Sequence, residues 1–263
     1  MATILIGTSG YSYTEWVGPV YPPGTSQGEY LNLYAQMFST VELNFSYYRM
    51  PTADQMTRLL DQSGTQVMFS IKANESLTHT IDPDTWKQQA NAFMSAVEVL
   101  AGHDKLGAVL LQFPYSFHYD PDRRRYLDAV LRHMGSLPLA IEFRNAQWYN
   151  NRTFQALRER NVALASIDLP ALKGLPPVVD AKTADIAYIR LHGRNEETWW
   201  GSDAAARYDY LYSKHELETW VERIRAIAQQ VTMIFIYFNN HRRGQAVANA
   251  KTLLQLLGKD RDS

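Results

Sequence analysis

The sequence predicts an α/β fold, a TIM-like (β/α) barrel of about eight parallel strands, on three observations. Eight short apolar runs recur along the 263 residues, helical periods separate most of them, and nearly all of them end in polar side chains. Strands buried on both faces are rich in Val, Ile and Leu, and polar groups at their carboxyl ends are typical of parallel strands that supply one site. The runs are 4–10, 41–48, 67–74, 106–114, 137–144, 162–170, 186–194 and 233–240.

Helical periodicity appears between the runs, where a barrel requires it. Apolar side chains from Trp86 to Leu100 recur at helical spacing, and Asp82 is the expected N-cap of that helix. Ser213 and Glu216 fit a capping box at the start of another amphipathic helix. Shorter helices are expected near 27–38, 52–62, 121–134, 153–160 and 244–257.

Two stretches depart from this alternation of strands and helices. Residues 171–185 show no good helical pattern, so one helix of the barrel is expected to be degenerate or missing, and residues 198–212 are interpreted as an irregular insertion. A barrel of this type needs about 250 residues, which favours one domain over two half-size ones. We expect a single barrel domain over residues 1–258 and a frayed tail over 259–263.

The composition excludes several classes of function. With 26 basic and 27 acidic side chains the formal net charge is −1, which gives no bulk attraction to a polyanion or an acidic membrane; nucleic acid is a disfavoured partner, although a local basic patch leaves it open. The absence of cysteine excludes disulfides, Cys-ligated zinc and thiol nucleophiles. No segment approaches the roughly 20 apolar residues of a membrane span, and no signal peptide is recognised, so a cytoplasmic location is expected.

Strand alternation sorts the polar residues at the strand ends by direction. Successive side chains point to opposite faces of a strand, so residues two positions apart share a face. The barrel interior is favoured for the charged ones, because unpaired charges under the helix layer would cost several kcal/mol. A purely architectural ion pair is the alternative interpretation of Glu142 and Arg144. The sets that share a face are Glu42 with Asn44, Glu142 with Arg144, and Arg190 with His192 and Arg194.

Five residues at the strand ends are candidates for the catalytic groups. Glu142, Glu42 and Asp168 can serve as general acid or base, because burial lifts the pKa of a carboxyl group toward neutrality. His192 needs little shift in its pKa for the same role near pH 7, although a hydrogen-bonded core histidine is the alternative. Lys72 is a candidate electrophile, anion ligand or, when desolvated, Schiff-base amine, and the sequence leaves these three roles open.

The same strand ends carry cations that could recognise an anion. Lys72, Arg144, Arg190 and Arg194 supply donors, and the arginines can grip a carboxylate or phosphate with two hydrogen bonds. A small anionic molecule is therefore the expected partner. The remaining candidates for substrate binding are amide or aromatic side chains, suited to hydrogen bonding and to stacking on a sugar face: Tyr11, Asn44, Gln112, Trp148, Asn239 and Asn240.

Seven ordered sequence blocks cover essentially the whole chain. They are GTSGYSY at 7–13, VELN at 41–44, IK at 71–72, LQFP at 111–114, IEFR at 141–144, RLHGR at 190–194 and YFNN at 237–240. The set resembles the YecE-like family, also called domain of unknown function 72. The resemblance implies a TIM-like barrel of the type found in sugar isomerases and metal-dependent endonucleases, and no established reaction. Tyr11 stands where Trp is expected and Asn145 where His is frequent, which changes the shape and proton chemistry of the rim.

Three functions remain open. The leading one is a cofactor-independent enzyme that applies acid/base chemistry to a small anionic, sugar- or phosphate-like substrate. The second is a metal-dependent phosphodiester hydrolase or nuclease, which requires a ligand cluster of acids and His192 without intervening cations. The third is a non-catalytic module that binds a metabolite or nucleic acid, favoured if the polar strand ends pair with one another and leave no open pocket.

No cofactor is predicted, although a divalent metal ion remains an option on the acidic side chains. The sequence lacks a P-loop, the glycine fingerprint of dinucleotide binding and the serine motif of a nucleophile elbow. The GTSG turn at 7–10 is by itself too short to count as any of these motifs.

Overall fold

In the computed structural model, residues 2–64, 66–201 and 204–258 are described, and their strands form two parallel sheets. The strands are β1 (Thr3–Thr8), β2 (Thr40–Leu43), β3 (Met68–Lys72), β4 (Leu106–Phe113), β5 (Leu139–Phe143), β6 (Ala163–Leu164), β7 (Ser166–Asp168), β8 (Ile186–Leu191) and β9 (Met233–Phe238). One sheet has the order β1-β9-β8-β7 and the other the order β2-β3-β4-β5-β6. The protein is therefore an α/β fold built on parallel strands, as the sequence predicts.

Each of the eight predicted runs contains a strand, and one run contains two. The run 162–170 is divided at Ala165, so that β6 pairs with β5 while β7 pairs with β8. The Ala165 N–H still donates to the Ile141 carbonyl, at 2.8 Å. The chain therefore passes from one sheet to the other within a single apolar run, a step that no feature of the sequence pattern predicts.

The two sheets also meet between β1 and β2, at a contact that we call the β1–β2 seam. Ser9 and Glu42 form an isolated parallel bridge there, and the Gly10 N–H donates to the Glu42 carbonyl at 2.8 Å. Position 7 has no room for a side chain, because a Cβ atom on Gly7 would lie 2.1 Å from the Thr40 carbonyl oxygen. This close approach of β1 to β2 therefore requires glycine.

Helices follow most of the strands. They are α1 (Tyr30–Met37), α2 (Phe45–Tyr48), α3 (Ala53–Ser63), α4 (Trp86–Gly102), α5 (Pro121–His133), α6 (Asn151–Arg158), α7 (Ala204–Arg207), α8 (Lys214–Ala228) and α9 (Gln245–Leu256). As predicted, residues 171–185 contain no helix. No helix within residues 2–64, 66–201 and 204–258 is both long enough and apolar enough to cross a membrane.

The helix starts follow the capping rules with one correction. The capping box of Ser213 and Glu216 is confirmed: each side chain accepts a hydrogen bond from the other residue's backbone N–H. The N-cap of α4 is Thr85, and the prediction of Asp82 was wrong. The Asp82 carboxylate accepts from the Asp84 N–H instead, because the chain first makes a turn over 83–85 before the helix begins.

The strands divide their side chains between two apolar clusters. In β4, Val109 and Leu111 belong to the larger cluster, whereas Ala108 and Leu110 belong to the smaller one. The smaller cluster also contains Tyr188 of β8 and alternate residues of β9. On the face that carries the smaller cluster, the side chains nearest the carboxyl ends of the strands are polar. They form the candidate site: Asn44, Lys72, Gln112, Glu142, Arg190 and Asn239.

Candidate functional site

The centre of the site is a buried arginine of one sheet that joins two glutamates of the other sheet. One nitrogen of Arg190, on β8, donates to Glu42 Oε1 of β2 at 2.7 Å, and another donates to Glu142 Oε2 of β5 at 2.7 Å. Tyr188 donates its hydroxyl to Glu42 Oε2, also at 2.7 Å. Both glutamates are fully buried. The carboxylates raise the pKa of Arg190 against the effect of its burial, so its guanidinium stays charged.

A second arginine and a histidine complete this cluster. Arg144 Nε donates to Glu142 Oε1, and His192 Nε2 lies 3.3 Å from Glu142 Oε2. Burial alone would raise the pKa of Glu142, but Arg144 and Arg190 together hold it well below its usual value. We call Glu42, Glu142, Arg144, Arg190 and His192 the floor network.

His192 is neutral at physiological pH. Burial and the nearby Arg144 lower the pKa of His192 to about 3. Its Nδ1 accepts from the Asn239 side-chain amide at 3.0 Å, which leaves the ring proton on Nε2, facing Glu142. The floor network therefore contains two positive guanidinium groups and two negative carboxylates, and its charges balance.

A cavity of about 750 Å³ lies over the floor network. Arg144 and Arg190 line it, but Glu42, Glu142 and His192 do not. The other polar side chains that line it include Asn44, Lys72, His79, Gln112, Arg207 and Asn239. The carboxylates therefore orient the guanidinium groups from below, and the surface that a ligand would meet is cationic and amide-rich.

Lys72 differs from the arginines because no carboxylate of the described residues contacts it. It lies at the end of β3 and lines the cavity. Within the described parts of the chain, no hydrogen bond or ion pair reaches its Nζ, which lies 3.9 Å from the centroid of the Tyr47 ring. Burial and the neighbouring Arg190 lower the pKa of Lys72 to about 7. At neutral pH a large fraction of this amine is therefore unprotonated.

Aromatic rings form the walls of the cavity. Tyr208 hydrogen-bonds to Arg144, and although burial raises the pKa of this phenol, Arg144 and Arg190 lower it more. The guanidinium of Arg144 also lies 5.5 Å from the centroid of the Trp199 ring. Tyr11 also lines the cavity. The other aromatic residues of the walls are Tyr13, Phe45, Tyr47, Tyr48, Tyr115 and Trp200.

Two predicted site residues form a separate cluster that does not line the cavity. Asp168 accepts from Arg194 Nε at 2.8 Å, from a second Arg194 nitrogen at 2.7 Å, and from the Trp220 indole at 2.6 Å. Arg194 also contacts Glu216, at 3.1 Å. We call Asp168, Arg194, Glu216 and Trp220 the brace network. It joins the ends of β7 and β8 to helix α8.

The chain direction at Gly193 explains why Arg194 leaves the site. The sequence places Arg190, His192 and Arg194 on one face by strand alternation, but β8 ends at Leu191. Gly193 then adopts a φ of +92°, in the left-handed region. Alternation therefore holds for His192, which stays in the floor network, and fails for Arg194.

Trp148 and Asn240 also lie away from the cavity lining. Trp148 stacks on Phe143 with centroids 4.5 Å apart, and its indole donates to the Phe117 carbonyl at 2.7 Å. Asn240 donates to the Tyr210 carbonyl at 2.7 Å and to the Asn249 side chain at 2.9 Å. Both side chains were expected to contact a substrate, and the structure uses their polar groups to hold neighbouring segments instead.

The structure thus sorts the predicted residues into three groups. The first group lines the cavity: Tyr11, Asn44, Lys72, Gln112, Arg144, Arg190 and Asn239. The second, Glu42, Glu142 and His192, lies directly beneath it, and the third, Asp168, Arg194, Asn240 and Trp148, lies elsewhere.

Several cavity residues escaped prediction from the sequence. Arg207 and Tyr208 belong to the insertion 198–212, which has no periodic pattern to give their direction, and His79 follows β3 by seven residues. Tyr13 lies inside the first motif block, and that block is the one signal that could have indicated it. Burial and the nearby Lys72 lower the pKa of His79 to about 4.

The acids of the site are committed to nitrogen and hydroxyl donors. Each carboxylate of Glu42, Glu142 and Asp168 accepts from at least one arginine. Glu42 Oε2 accepts from Tyr188 instead, and Asp168 also accepts from Trp220. The residues that the structure describes contain no group of three or more His, Asp or Glu side chains suited to holding a metal ion. The cluster without intervening cations that a metal site requires is therefore not formed by these acids.

Comparisons with known proteins agree with this architecture. Residues 5–263 match the model of a protein family described as "Protein of unknown function DUF72". The chain is 29% identical to the UPF0759 protein YunF of Bacillus subtilis, over 97% of this chain and 94% of that protein.

Solved structures of similar proteins show the same fold. A DUF72 family protein from Thermotoga maritima is 34% identical, with a TM-score of 0.89 over 97% of this chain and 99% of that one. One from Enterococcus faecalis has a TM-score of 0.88 at 24% identity, over 99% of this chain and 97% of that one. From its matched length, its fold and its sequence blocks, the chain belongs to the DUF72 family of proteins of unknown function.

Proposed function

We propose that the cavity binds a small anionic, sugar- or phosphate-like molecule and that the protein is a cofactor-independent enzyme that applies acid/base chemistry to it. The observation that carries this proposal is the position of Lys72, which has no acidic contact among the described residues and lines the same cavity as Arg144 and Arg190. An anionic group on the ligand would supply the negative countercharge that Lys72 lacks.

The proposal includes a closed TIM-like barrel of eight parallel strands as one domain over residues 1–258. Two observations support closure. The divided run around Ala165 connects the two sheets on one side, and the β1–β2 seam connects them on the other. In such a barrel the strand ends converge on one mouth, where the active sites of this fold are found.

Lys72 is the group that we assign to proton transfer. Its lowered pKa, about 7, lets the amine take a proton and the ammonium return it near neutral pH. Glu42, Glu142 and His192 lie under the floor and hold the guanidinium groups, so they act on the reaction through Arg144 and Arg190. Asp168 has no place in this mechanism, because it belongs to the brace network.

Specific observations disfavour the two alternative functions. A metal-dependent hydrolase would need acids free of arginine partners, whereas Arg190 donates to both glutamates and Arg144 donates to Glu142. A module whose strand ends are fully paired would have no open pocket, whereas the cavity measures about 750 Å³ and contains an unbalanced lysine. A small anionic partner is therefore proposed in preference to nucleic acid.

Calorimetry tests the binding step. Inorganic phosphate, glucose 6-phosphate and neutral glucose would be titrated into the protein and into the variants Lys72→Met and Lys87→Met; Lys87 is an exposed lysine near an aromatic ring and serves as the matched control. We expect the anions to bind, the neutral sugar to bind more weakly, and Lys72→Met to lose about tenfold in affinity, or 1.4 kcal/mol. The absence of anion binding, or identical affinities in all three proteins, would refute the proposal.

Hydrogen exchange tests the chemical step. In heavy water, the protein should catalyse exchange of deuterium for the hydrogen on the carbon next to the carbonyl group of a sugar phosphate. The exchange would be followed by NMR. The exchange should disappear in Lys72→Met and persist in Lys87→Met. Tight binding without any exchange would refute the assignment of acid/base chemistry and would indicate that the protein only binds its ligand.

A further inference from the structure

The surroundings of Lys72 are those of a nucleophilic amine. The side chain lines the cavity, and no carboxylate accepts from its Nζ among the described residues. Its Nζ lies over the Tyr47 ring, and Arg190 and Arg144 oppose its positive charge while the more distant Glu142 and Glu42 favour it. An amine becomes a nucleophile in proteins when burial or a neighbouring cation favours its neutral form. Both conditions hold here: the side chain is withdrawn from water at the end of β3, and Arg190 and Arg144 lie on the cavity floor beside it.

We propose that Lys72 Nζ forms a Schiff base with a small aldehyde or ketone that carries a carboxylate or phosphate group. This inference rests on the proposed function, because the cavity must first bind the anion. It adds a covalent role to the proton-transfer role and defines the substrate class as an anionic carbonyl compound.

Electrostatics favours a carbonyl compound that brings its own negative charge. A protonated Schiff base would place a permanent cation beside Arg144 and Arg190, and mutual repulsion among the three would oppose its formation. Glu42 and Glu142 already balance the two arginines. A carboxylate or phosphate on the substrate would supply the missing charge, so neutral carbonyl compounds should react much less.

The covalent step balances without a further reactant. The neutral Nζ adds to the carbonyl carbon and forms the C–N bond. The carbonyl oxygen then leaves with both amine protons as one water molecule, and the nitrogen takes up a proton from solvent to give the cationic imine. The imine withdraws electrons from the adjacent carbon, which facilitates loss of a proton or cleavage of a bond at that position.

Reductive trapping tests the inference. The protein would be incubated with pyruvate, with dihydroxyacetone phosphate or with neutral dihydroxyacetone, then treated with sodium borohydride, digested and examined by mass spectrometry. We expect a reduced adduct on the Lys72 peptide at least tenfold more abundant than on the exposed Lys87 or Lys214, formed with an anionic probe and nearly absent with the neutral one.

Two matched variants give the control. Lys72→Arg keeps a cation in the cavity but has no nucleophilic amine, so it should bind phosphate and form no adduct, whereas Lys87→Arg should behave like the unmodified protein. Thermal unfolding would establish that each variant is folded. A Lys72→Arg protein that still gives the same adduct yield would overturn the inference.

The pH dependence of labelling separates Lys72 from ordinary lysines. The groups that act on its pKa are Arg190, Glu142, Arg144 and Glu42, and the nearby His79 is influenced by Lys72 in turn. The labelling rate should rise with a midpoint near pH 7, as expected for a pKa of about 7. Phosphate binding without any adduct on Lys72, or labelling spread evenly over the lysines, would overturn the Schiff-base inference and leave the proposed function standing.

Discussion

The floor network and the brace network are both clusters of arginine and carboxylate at strand ends, and they differ in what lies beside them. In the floor network, Arg190 is 3% exposed and the cavity lies directly above it. In the brace network, the side chain of Arg194 is 37% exposed and the cluster contacts helix α8 through Trp220. One cluster therefore serves as the base of a cavity and the other joins strands to a helix.

This difference shows what distinguishes a site from a structural ion pair. Paired charges occur in both clusters, so pairing by itself indicates nothing about function. The distinguishing feature is the additional cation, Lys72, which lies beside the floor network and contacts no acid in the part of the chain that the structure describes. In the brace network, Arg194 has both Asp168 and Glu216 as partners.

Replacing the arginine between the two glutamates should give the largest effect and would sharpen the comparison. Arg190→Met leaves Glu42 and Glu142 buried without their shared partner, and loss of one partner from a buried pair costs about 3–5 kcal/mol. Urea unfolding should show this decrease in the free energy of unfolding, with partial recovery in Arg190→Met/Glu42→Gln. A decrease below about 1 kcal/mol would mean that the floor network is not what holds this region together.

The brace network should respond less, and should leave binding unchanged. Asp168→Asn weakens the hydrogen bonds to Arg194 and Trp220, but Arg194 keeps Glu216 and partial access to water. We expect a loss of about 1–3 kcal/mol in the free energy of unfolding. The Kd for phosphate should remain within about twofold. A large change in that Kd would break the distinction between the two networks.

Trp148→Phe should have a smaller effect on stability and none on binding. The substitution keeps the stacking on Phe143 but removes the indole donor to the Phe117 carbonyl. The expected cost is about 1–2 kcal/mol. Thermal unfolding measures it, and the phosphate titration provides the control. A weaker affinity for phosphate would contradict this expectation and would support the sequence-based prediction that Trp148 takes part in substrate binding.

Within any one pH unit, Lys72 should give the smallest effect on stability, visible as a dependence on pH. The pKa of Lys72 is about 7 in the folded protein and 10.5 for an ordinary lysine side chain, so between these pH values the unfolded chain binds the extra proton. The free energy of unfolding should therefore rise with pH over that window, by at most about 1.4 kcal/mol per pH unit. Lys72→Met should remove this slope and Lys87→Met should retain it. Equal slopes in both variants would contradict the lowered pKa.

The sequence predicts the parallel strands and most of the polar cavity floor, because alternation along a strand determines which side chains share a face. It places Glu42, Glu142 and His192 together correctly for this reason. Alternation gives no information beyond a strand end, however, so Arg194 after Gly193 is placed on the wrong face.

The remaining features depend on contacts between distant parts of the chain. The division of the run at Ala165 depends on which neighbouring strand each half meets. Arg207 and Tyr208 lie in the aperiodic insertion, and Tyr208 reaches Arg144 from it. That no carboxylate of the described residues contacts Lys72 is likewise a property of the assembled cavity, since charged residues are plentiful in the sequence.

The glycine at the β1–β2 seam links backbone sterics to the charge of the cavity floor. A methyl group at position 7 would collide with the Thr40 carbonyl and force β2 away from β1. Glu42 lies on β2 two residues later, and its carboxylate holds Arg190. A single added carbon atom would therefore alter the electric field experienced by a bound ligand without approaching that ligand. Mutational scans of the cavity lining alone would overlook this position, because it acts on the cavity only through the position of β2.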